Sequence, residues 1–246
     1  MNYRYEADTH THTIATGHAF NTISEMAQRA AALGLKAIAF TEHGPLIPAA
    51  PDDIYFGNYK IIDRNFYGIR MLMGVELNIL NDGTVDLPVK TLKQQDIALA
   101  SIHKQVYTNA GLEGNTKAVL KICENPFVDI LGHPDDSRFP IDYEQIVNRA
   151  AQTGTVLEVN ENSYRSDLRK NCEENTLMYL QLCKEKHVYV TIGSDAHFVD
   201  RVGVHDRAEA VMHKVDFPEE LVLNSDAEKL IEYLAARKAI AQKWEG

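Results

Sequence analysis

Asp8-Thr9-His10-Thr11-His12 carries two imidazoles two residues apart, and Gly193-Ser194-Asp195-Ala196-His197 sets a carboxylate and an imidazole at the same spacing near the other end of the chain. On extended backbone, residues two apart face the same side, so each stretch aims two donor groups at one spot. Two imidazoles on one face are half of a metal site, and zinc, manganese and iron all accept histidine, aspartate and glutamate donors. His43, Glu76, His103 and His133 each follow an apolar run of strand length, and His18 lies in the loop after the first such run. The candidate ligands are therefore His10, His12, His18, His43, Glu76, His103, His133, Asp195 and His197. Catalytic zinc takes about three protein ligands and keeps one position for water, so this many donors predict about three ions. A carboxylate has two oxygens whereas a neutral imidazole has one free lone pair, which makes Glu76 the expected bridge. Three divalent cations outweigh two carboxylates, and the resulting positive site suits an anion, a phosphate group first of all. Paired ions about 3.5 to 4 Å apart lower the pKa of a shared water and stabilise both oxygens of an in-line displacement, so the expected chemistry is attack of a metal-activated hydroxide on a phosphoester.

The elements that must position these groups alternate along the chain. Residues 5–7 read as a short first strand. Thr22-Ile23-Ser24-Glu25 has the form of a capping box, opening a helix that Gly34 ends. Residues 35–41 are an apolar run delivering Glu42 and His43, and residues 52–67 are expected to hold a helix. Residues 70–76, 96–102, 127–131, 155–159 and 188–192 read as further strands. Asn81-Asp82-Gly83-Thr84 is a turn signal for a small hairpin. Helical spacing recurs at Ala118, Val119, Ile122 and Cys123, and after Asp142-x-x-Gln145 as far as Gly154. More helices are expected over 171–186, over 208–214, and after Ser225-x-x-Glu228, where Ser225 is the expected cap. Short apolar strands alternating with helices imply a parallel sheet buried on both faces. Seven such units, with polar residues gathered past the C-terminal strand ends, predict a closed α/β barrel, whose catalytic groups collect on that rim. A doubly wound open sheet is the alternative, but it gathers ligands only at its switch point.

Composition bounds the reading. A chain of 246 residues with 45% apolar and 24% charged residues suits one domain spanning 1–246. The polar start and the lack of a long apolar stretch predict a cytoplasmic protein with no membrane partner. Cys123, Cys172 and Cys183 show no C-x-x-C spacing, so neither a disulfide framework nor a thiolate metal site is expected. A net charge of −10 without any basic run argues against a nucleic-acid partner. Lys104, Asn160 and Arg165 stand past strand ends and are candidates for holding substrate, with Arg138 and Arg169 in similar positions. Asp8 is expected to bind a histidine or to cap the first strand. His187, His205 and His213 lie away from the strand ends and receive no role, and no residue is assigned to protonate the leaving alcohol.

The series His10-x-His12, Glu42-His43-Gly44-Pro45, Glu76, His103, His133-Pro134 and Gly193-Ser194-Asp195-Ala196-His197, with Gly17-His18-Ala19-Phe20, resembles the motifs of the PHP family, named for polymerase and histidinol phosphatase. The likeness spans essentially the whole chain and is greatest to the YcdX-like phosphatase branch. It implies a distorted seven-stranded (β/α)7 TIM-like barrel with three ions of zinc, manganese or iron. By position, His10, His12, Glu76 and Asp195 would hold one ion, Glu76, His103 and His133 a second, and His18, His43 and His197 a third. The branch also implies a homotrimer. Glu42 departs from the family, which usually has Asp there, and it is not counted as a ligand. The function so implied is a phosphatase for a small anionic phosphomonoester. A PHP-type nuclease or phosphodiesterase, an amidohydrolase-like hydrolase and a non-enzymatic metal-binding domain are the alternatives. Acidic composition opposes the nuclease, a third ion the amidohydrolase, and the completeness of the donor set the non-enzyme.

Overall fold

Seven parallel strands wind nearly into a closed barrel with helices between them, in a computed structural model that describes residues 3–165 and 169–244. The strands are β1 (Ala7–Asp8), β2 (Ala37–His43), β4 (Ile69–Asn78), β5 (Ile97–Ser101), β6 (Ile130–Leu131), β7 (Val156–Asn160) and β8 (Val190–Gly193), paired in that order. A short β3 (Asn65–Phe66) pairs antiparallel with the start of β4. The helices are α1 (Ile23–Ala32), α2 (Asp53–Gly57), α3 (Val89–Leu92), α4 (Gly111–Glu124), α5 (Tyr143–Thr153), α6 (Cys172–Lys186), α7 (Asp206–His213) and α8 (Ala227–Ala241). No helix among the described residues is long and apolar enough to cross a membrane.

Side chains alternate in and out of the barrel, and the inward files change character along each strand. On β4 the outer file Met71, Met73, Val75 and Leu77 packs in the large core under the helices. Its inner file runs from Leu72 through Gly74 to Glu76 and Asn78. Ala37, Ala39, Leu72, Ile97, Leu99, Ile130 and Val156 form a separate inner core, which Leu223, Leu230 and Leu234 close from below. Apolar groups thus fill the bottom of the barrel and leave the donors stacked at its top.

Closure between β1 and β8 is made without a regular ladder. At the top, the Asp195 amide donates to the His10 carbonyl at 2.9 Å and the His12 amide to the Ala196 carbonyl at 2.9 Å. Below them the buried Asn224 side chain fills the seam. Its Nδ2 donates to the carbonyls of Ala7 at 2.8 Å and Ile192 at 2.9 Å, and its Oδ1 accepts from the Ile192 amide at 3.0 Å. One amide side chain thereby satisfies backbone groups that strand pairing would otherwise serve.

Several expectations need correction. The strand of residues 5–7 is assigned only over Ala7–Asp8, and the extended path continues through a bridge between Thr11 and Ala196 that keeps both imidazoles inward. Residues 52–67 hold the expected helix only as the short α2, followed by a 3-10 turn and β3. Tyr67 and Gly68, at φ 52 and 77, then make the tight turn between β3 and β4. Asp226, not Ser225, caps α8, accepting from the amides of Glu228 and Lys229, because the Ser225 hydroxyl is used on the Val222 carbonyl. Helix α1 keeps its capping box, α5 runs from Asp142 to a left-handed Gly154, and Ile79 bridges Val85 across the hairpin turn.

Glu42 faces outward from β2, away from the rim. Burial pushes its carboxyl up to about 7, against the opposing hydrogen bonds from the Thr13 hydroxyl and amide. Two outcomes follow for stability. Asn224→Leu removes the side-chain partner of three buried backbone groups, of which the Ile192 carbonyl keeps the Thr9 hydroxyl at 3.4 Å, and is expected to lose about 2 kcal/mol or more in urea unfolding. Between the ordinary glutamate value of 4.5 and about 7, the folded chain keeps a Glu42 proton that the unfolded chain releases, so this group lowers stability as pH rises through that window. Glu42→Gln removes the effect, and in chelator-treated protein its stability relative to the parent is expected to improve from pH about 5 to pH about 8.

Candidate metal centre

Glu76, next to last in the inner file of β4, is wholly buried, and its two oxygens face different imidazoles. Oε1 lies 2.8 Å from His133 Nε2 and 3.1 Å from His103 Nε2. Oε2 lies 2.7 Å from His43 Nδ1, 3.4 Å from His10 Nε2 and 3.5 Å from His12 Nε2. Burial alone would raise this carboxyl, but His103, His10 and His43 outweigh it and hold it well below the usual carboxylate range. Asp195 closes the other side, with Oδ1 3.3 Å from His12 Nε2, 3.8 Å from His10 Nε2 and 3.5 Å from His197 Nδ1. The outermost pair is His18 and His197, whose Nε2 atoms are 3.2 Å apart at the exposed lip. All nine candidate ligands therefore converge on one rim.

The protons on these rings are directed away from the centre. His10 Nδ1 donates to Glu158 Oε1 at 2.7 Å, His103 Nδ1 to Asn78 Oδ1 at 2.8 Å and His197 Nδ1 to the Asp195 carbonyl at 3.0 Å. With Nδ1 so engaged, the neutral ring turns its Nε2 lone pair inward. His10 Nε2 then faces His12 Nε2 at 3.1 Å, and His103 Nε2 faces a carboxylate oxygen. His43 Nδ1 and Glu76 Oε2 are close but not aligned as donor and acceptor, and both lack a hydrogen-bond partner. Donor atoms meeting in a buried space need a proton or a cation between them, and a divalent metal would serve several of these nitrogens and oxygens at once, so the donor set fits divalent metal. Burial, then His197 and His43, lowers His12 well below the ordinary histidine value, which keeps it neutral as a ligand must be. Burial also opposes charge on His10, but Glu158, Glu76 and Asp195 together raise it well above that value. Three sets of donor atoms lie within 4.8 Å of one another, namely His12, His43 and His197; His10, His12 and Glu76; and His43, Glu76 and His103.

Backbone strain aims two of the candidate ligands. His133 and Asp195 have φ of 25 and 53, in the left-handed region that costs a residue with a β-carbon about 1 kcal/mol or more. Each is pinned by its amide, His133 to Glu158 Oε2 at 2.8 Å and Asp195 to the His10 carbonyl at 2.9 Å. Glu158 therefore orients His10 with one oxygen and His133 with the other. Gly193 leaves the room for this, since a β-carbon there would stand 2.1 Å from Glu158 Oε1 and 2.7 Å from His10 Cβ.

Glu158 and Asn78 were missed in the sequence because they lie inside strands, not beyond them. Counting inward by twos from Asn160 reaches Glu158, and from Glu76 onward reaches Asn78. Asn160 is buried and fully engaged, with Nδ2 donating to Glu158 and Asp195 and Oδ1 accepting from the Ser163 amide and from Arg169. Arg169 also donates to Asp195 Oδ2 at 3.2 Å. Arg165 is paired with Glu161 at 2.6 Å and with Asp206, Arg138 is folded onto Asp136, and Lys104 is exposed one residue past His103. Asp8 does not receive a histidine ring; its carboxylate accepts from the Ser194 amide and hydroxyl, the Gly203 amide and, at 3.4 Å, the His10 amide.

Residues 8–234 match the family model of the PHP domain. A probable phosphatase of Acetivibrio thermocellus is 41% identical, covering 96% of this chain and 97% of its own. A probable phosphatase of Clostridium novyi is 39% identical, covering 95% and 96%. Among solved structures, histidinol phosphate phosphatase of Lactococcus lactis, crystallised with zinc, L-histidinol and phosphate, superposes with a TM-score of 0.58 at 17% identity, covering 87% of this chain and 95% of that one. That last likeness is one of fold. The family match and the near full-length relatives agree with the ring of buried donors, and the chain belongs to the PHP domain family.

Proposed function

We propose that this protein is a metal-dependent phosphatase that hydrolyses a small phosphomonoester at a trinuclear site. The observation that carries it is the division of the Glu76 carboxylate, one oxygen toward His103 and His133 and the other toward His10, His12 and His43. The relatives named probable phosphatases, and the zinc and phosphate of the Lactococcus lactis enzyme, support the reading. His10, His12, Glu76 and Asp195 would hold one ion, Glu76, His103 and His133 a second, and His18, His43 and His197 the third. His43 stands nearest Glu76 and so lies between the second and third sets. Zinc heads the candidates, since imidazole and carboxylate donors suit it, and manganese or iron would accept the same set.

Such ions supply acidity to the attacking water and positive charge for the phosphoryl oxygens. The chain supplies the geometry. Glu158 and Asn78 hold ring protons outward on His10 and His103, and Arg169 and Asn160 hold Oδ2 of Asp195, leaving Oδ1 toward the imidazoles. Burial opposes the charge of Arg169, but Asp195 and Asp135 sustain it, so this arginine is a fixed positive partner. The exposed Lys104 and the half-buried Arg165 stand nearer solvent, where an incoming phosphate ester first meets the rim. Asn160, which touches Asp195 from behind, contributes by orientation.

Two experiments test this reading. Purified protein is expected to carry about two to three zinc, manganese or iron ions per chain by elemental analysis. Its p-nitrophenyl phosphate hydrolysis should disappear with chelator and return with metal; metal-free protein with undiminished activity would overturn the proposal. The site variants should also separate by stoichiometry. His18→Ala, at the exposed lip, is expected to lose one ion, whereas His10→Ala and Glu76→Gln lose more metal and all turnover, with unchanged circular dichroism. Equal loss in all three variants would count against separate sites.

A further inference from the structure

Beside the metal centre opens a cleft of about 600 Å³, whose walls include His197, Asp195 and the rings of Phe20 and Phe198. This is ample for a small ester, since ligand sites run from about 300 to 1,000 Å³. Single exposed apolar residues need no explanation, but these two share one concave surface. Phe20 is 72% exposed and Phe198 47%, and they follow His18 and His197, the two outermost candidate ligands.

The loops that present the rings are fixed to each other. The Phe20 amide donates to the His197 carbonyl at 3.1 Å, and the Val199 amide to the buried Asn21 side chain at 2.9 Å. The Ile14 amide donates to the Asn21 carbonyl at 2.7 Å, tying the base of the same loop. Loops held this way leave only the ring rotamers to be ordered on arrival.

Charge narrows the ligand further. Three arginines line the cleft, yet Arg165 is paired with Glu161 at 2.6 Å and Arg201 with Asp200 at 3.4 Å. Arg207 donates to the Tyr164 carbonyl, and its own amide donates to Glu161 Oε2 at 3.0 Å. Outside the metal centre the three arginines of the lining face Glu161 and Asp200, with Asp206 as a second partner of Arg165, so their charge is nearly balanced within the protein and each guanidinium is already engaged.

We infer that the cleft selects phosphate esters whose alcohol carries an uncharged planar ring, received by Phe20 and Phe198, while the phosphate sits at the metal centre. The inference rests on the phosphatase reading and adds the class of alcohol to it. Burial of the ring and its aromatic contacts together should favour hydrolysis by about tenfold or more, a difference of about 1.4 kcal/mol or more.

The test compares 2-phenylethyl phosphate with n-propyl phosphate, whose leaving alkoxides have like basicity, on the metal-loaded full chain. The parent is expected to show kcat/KM about tenfold or more higher for the aryl ester, expressed mainly in KM. In a Phe20→Ala, Phe198→Ala double variant with parental metal content, the ratio should fall to within about twofold of one. An absent preference in the parent, or one that survives in the variant, overturns the inference. So does a variant that changes subunit number by light scattering while keeping the preference, because the rings are then subunit contacts. Measurable p-nitrophenyl phosphate turnover alongside any of these leaves the phosphatase reading standing, whereas failure on all three esters removes both.

Discussion

A carboxylate buried at the centre of five imidazoles is the constraint on which this protein is organised. Glu76 has no water to solvate it, and a buried charge without partners is among the most destabilising features a fold can contain. The surrounding rings answer that charge only if protons or cations lie on the inner side, and on His10 and His103 the Nδ1 protons are already drawn outward by Glu158 and Asn78. Without metal the charge is answered by protonated imidazole, since Glu76 is held well below and His10 well above their ordinary values, and a divalent ion in the place of those protons would answer the same charge. The same logic explains the need for so large a scaffold: no helix or hairpin can bring donors from six strand ends to a point, whereas a barrel rim does so by construction.

The barrel tolerates this polar top because its bottom is apolar. Ala37, Ala39, Leu72, Ile97 and Leu99 occupy the lower interior and α8 closes it, so the energetic contribution of the inner core comes from below the site. The strain is local to the top. His133 and Asp195 hold left-handed backbone, and both are restrained by hydrogen bonds to elements distant in sequence, β7 and the end of β1. A ligand aimed by strain keeps its direction only while those elements stay in register. The folded sheet is therefore part of the site's chemistry and not merely its support.

Much of this is legible in the sequence, because the signals are periodic and local. His10 and His12 share a face on extended chain, and His43, Glu76, His103 and His133 follow apolar runs, so both the strands and their rim can be read together. Thr22 and Glu25 announce a helix start for the same reason, as Asp142 and Gly154 announce both ends of another. What could not be read depends on pairings remote in sequence. Asn224 is one asparagine in a loop until Ala7 and Ile192 are brought beside it. Glu158 looks like one acid interrupting a strand, and its value appears only when His10 and the His133 amide arrive from elsewhere. Ser225 and Asp226 are both good caps, and the Val222 carbonyl, which takes the serine hydroxyl, decides between them.

Division of labour along each strand also explains how Glu42 can stand beside His43 without entering the cluster of candidate ligands. It neighbours His43 in the chain, but the two-residue period turns it to the opposite face, against Thr13 and near Tyr55 and Tyr59. The Glu42 side chain meets Thr13 and the helical layer there and stays out of the donor cluster. By contrast, Gly193 lies on the inner face between Glu158 and His10, where one added methyl group would drive them apart. Proximity in sequence to a ligand is thus a weaker guide to function in this barrel than the face on which a side chain lies. That rule assigns Glu42 to stability and Glu158 to the aiming of His10 and His133.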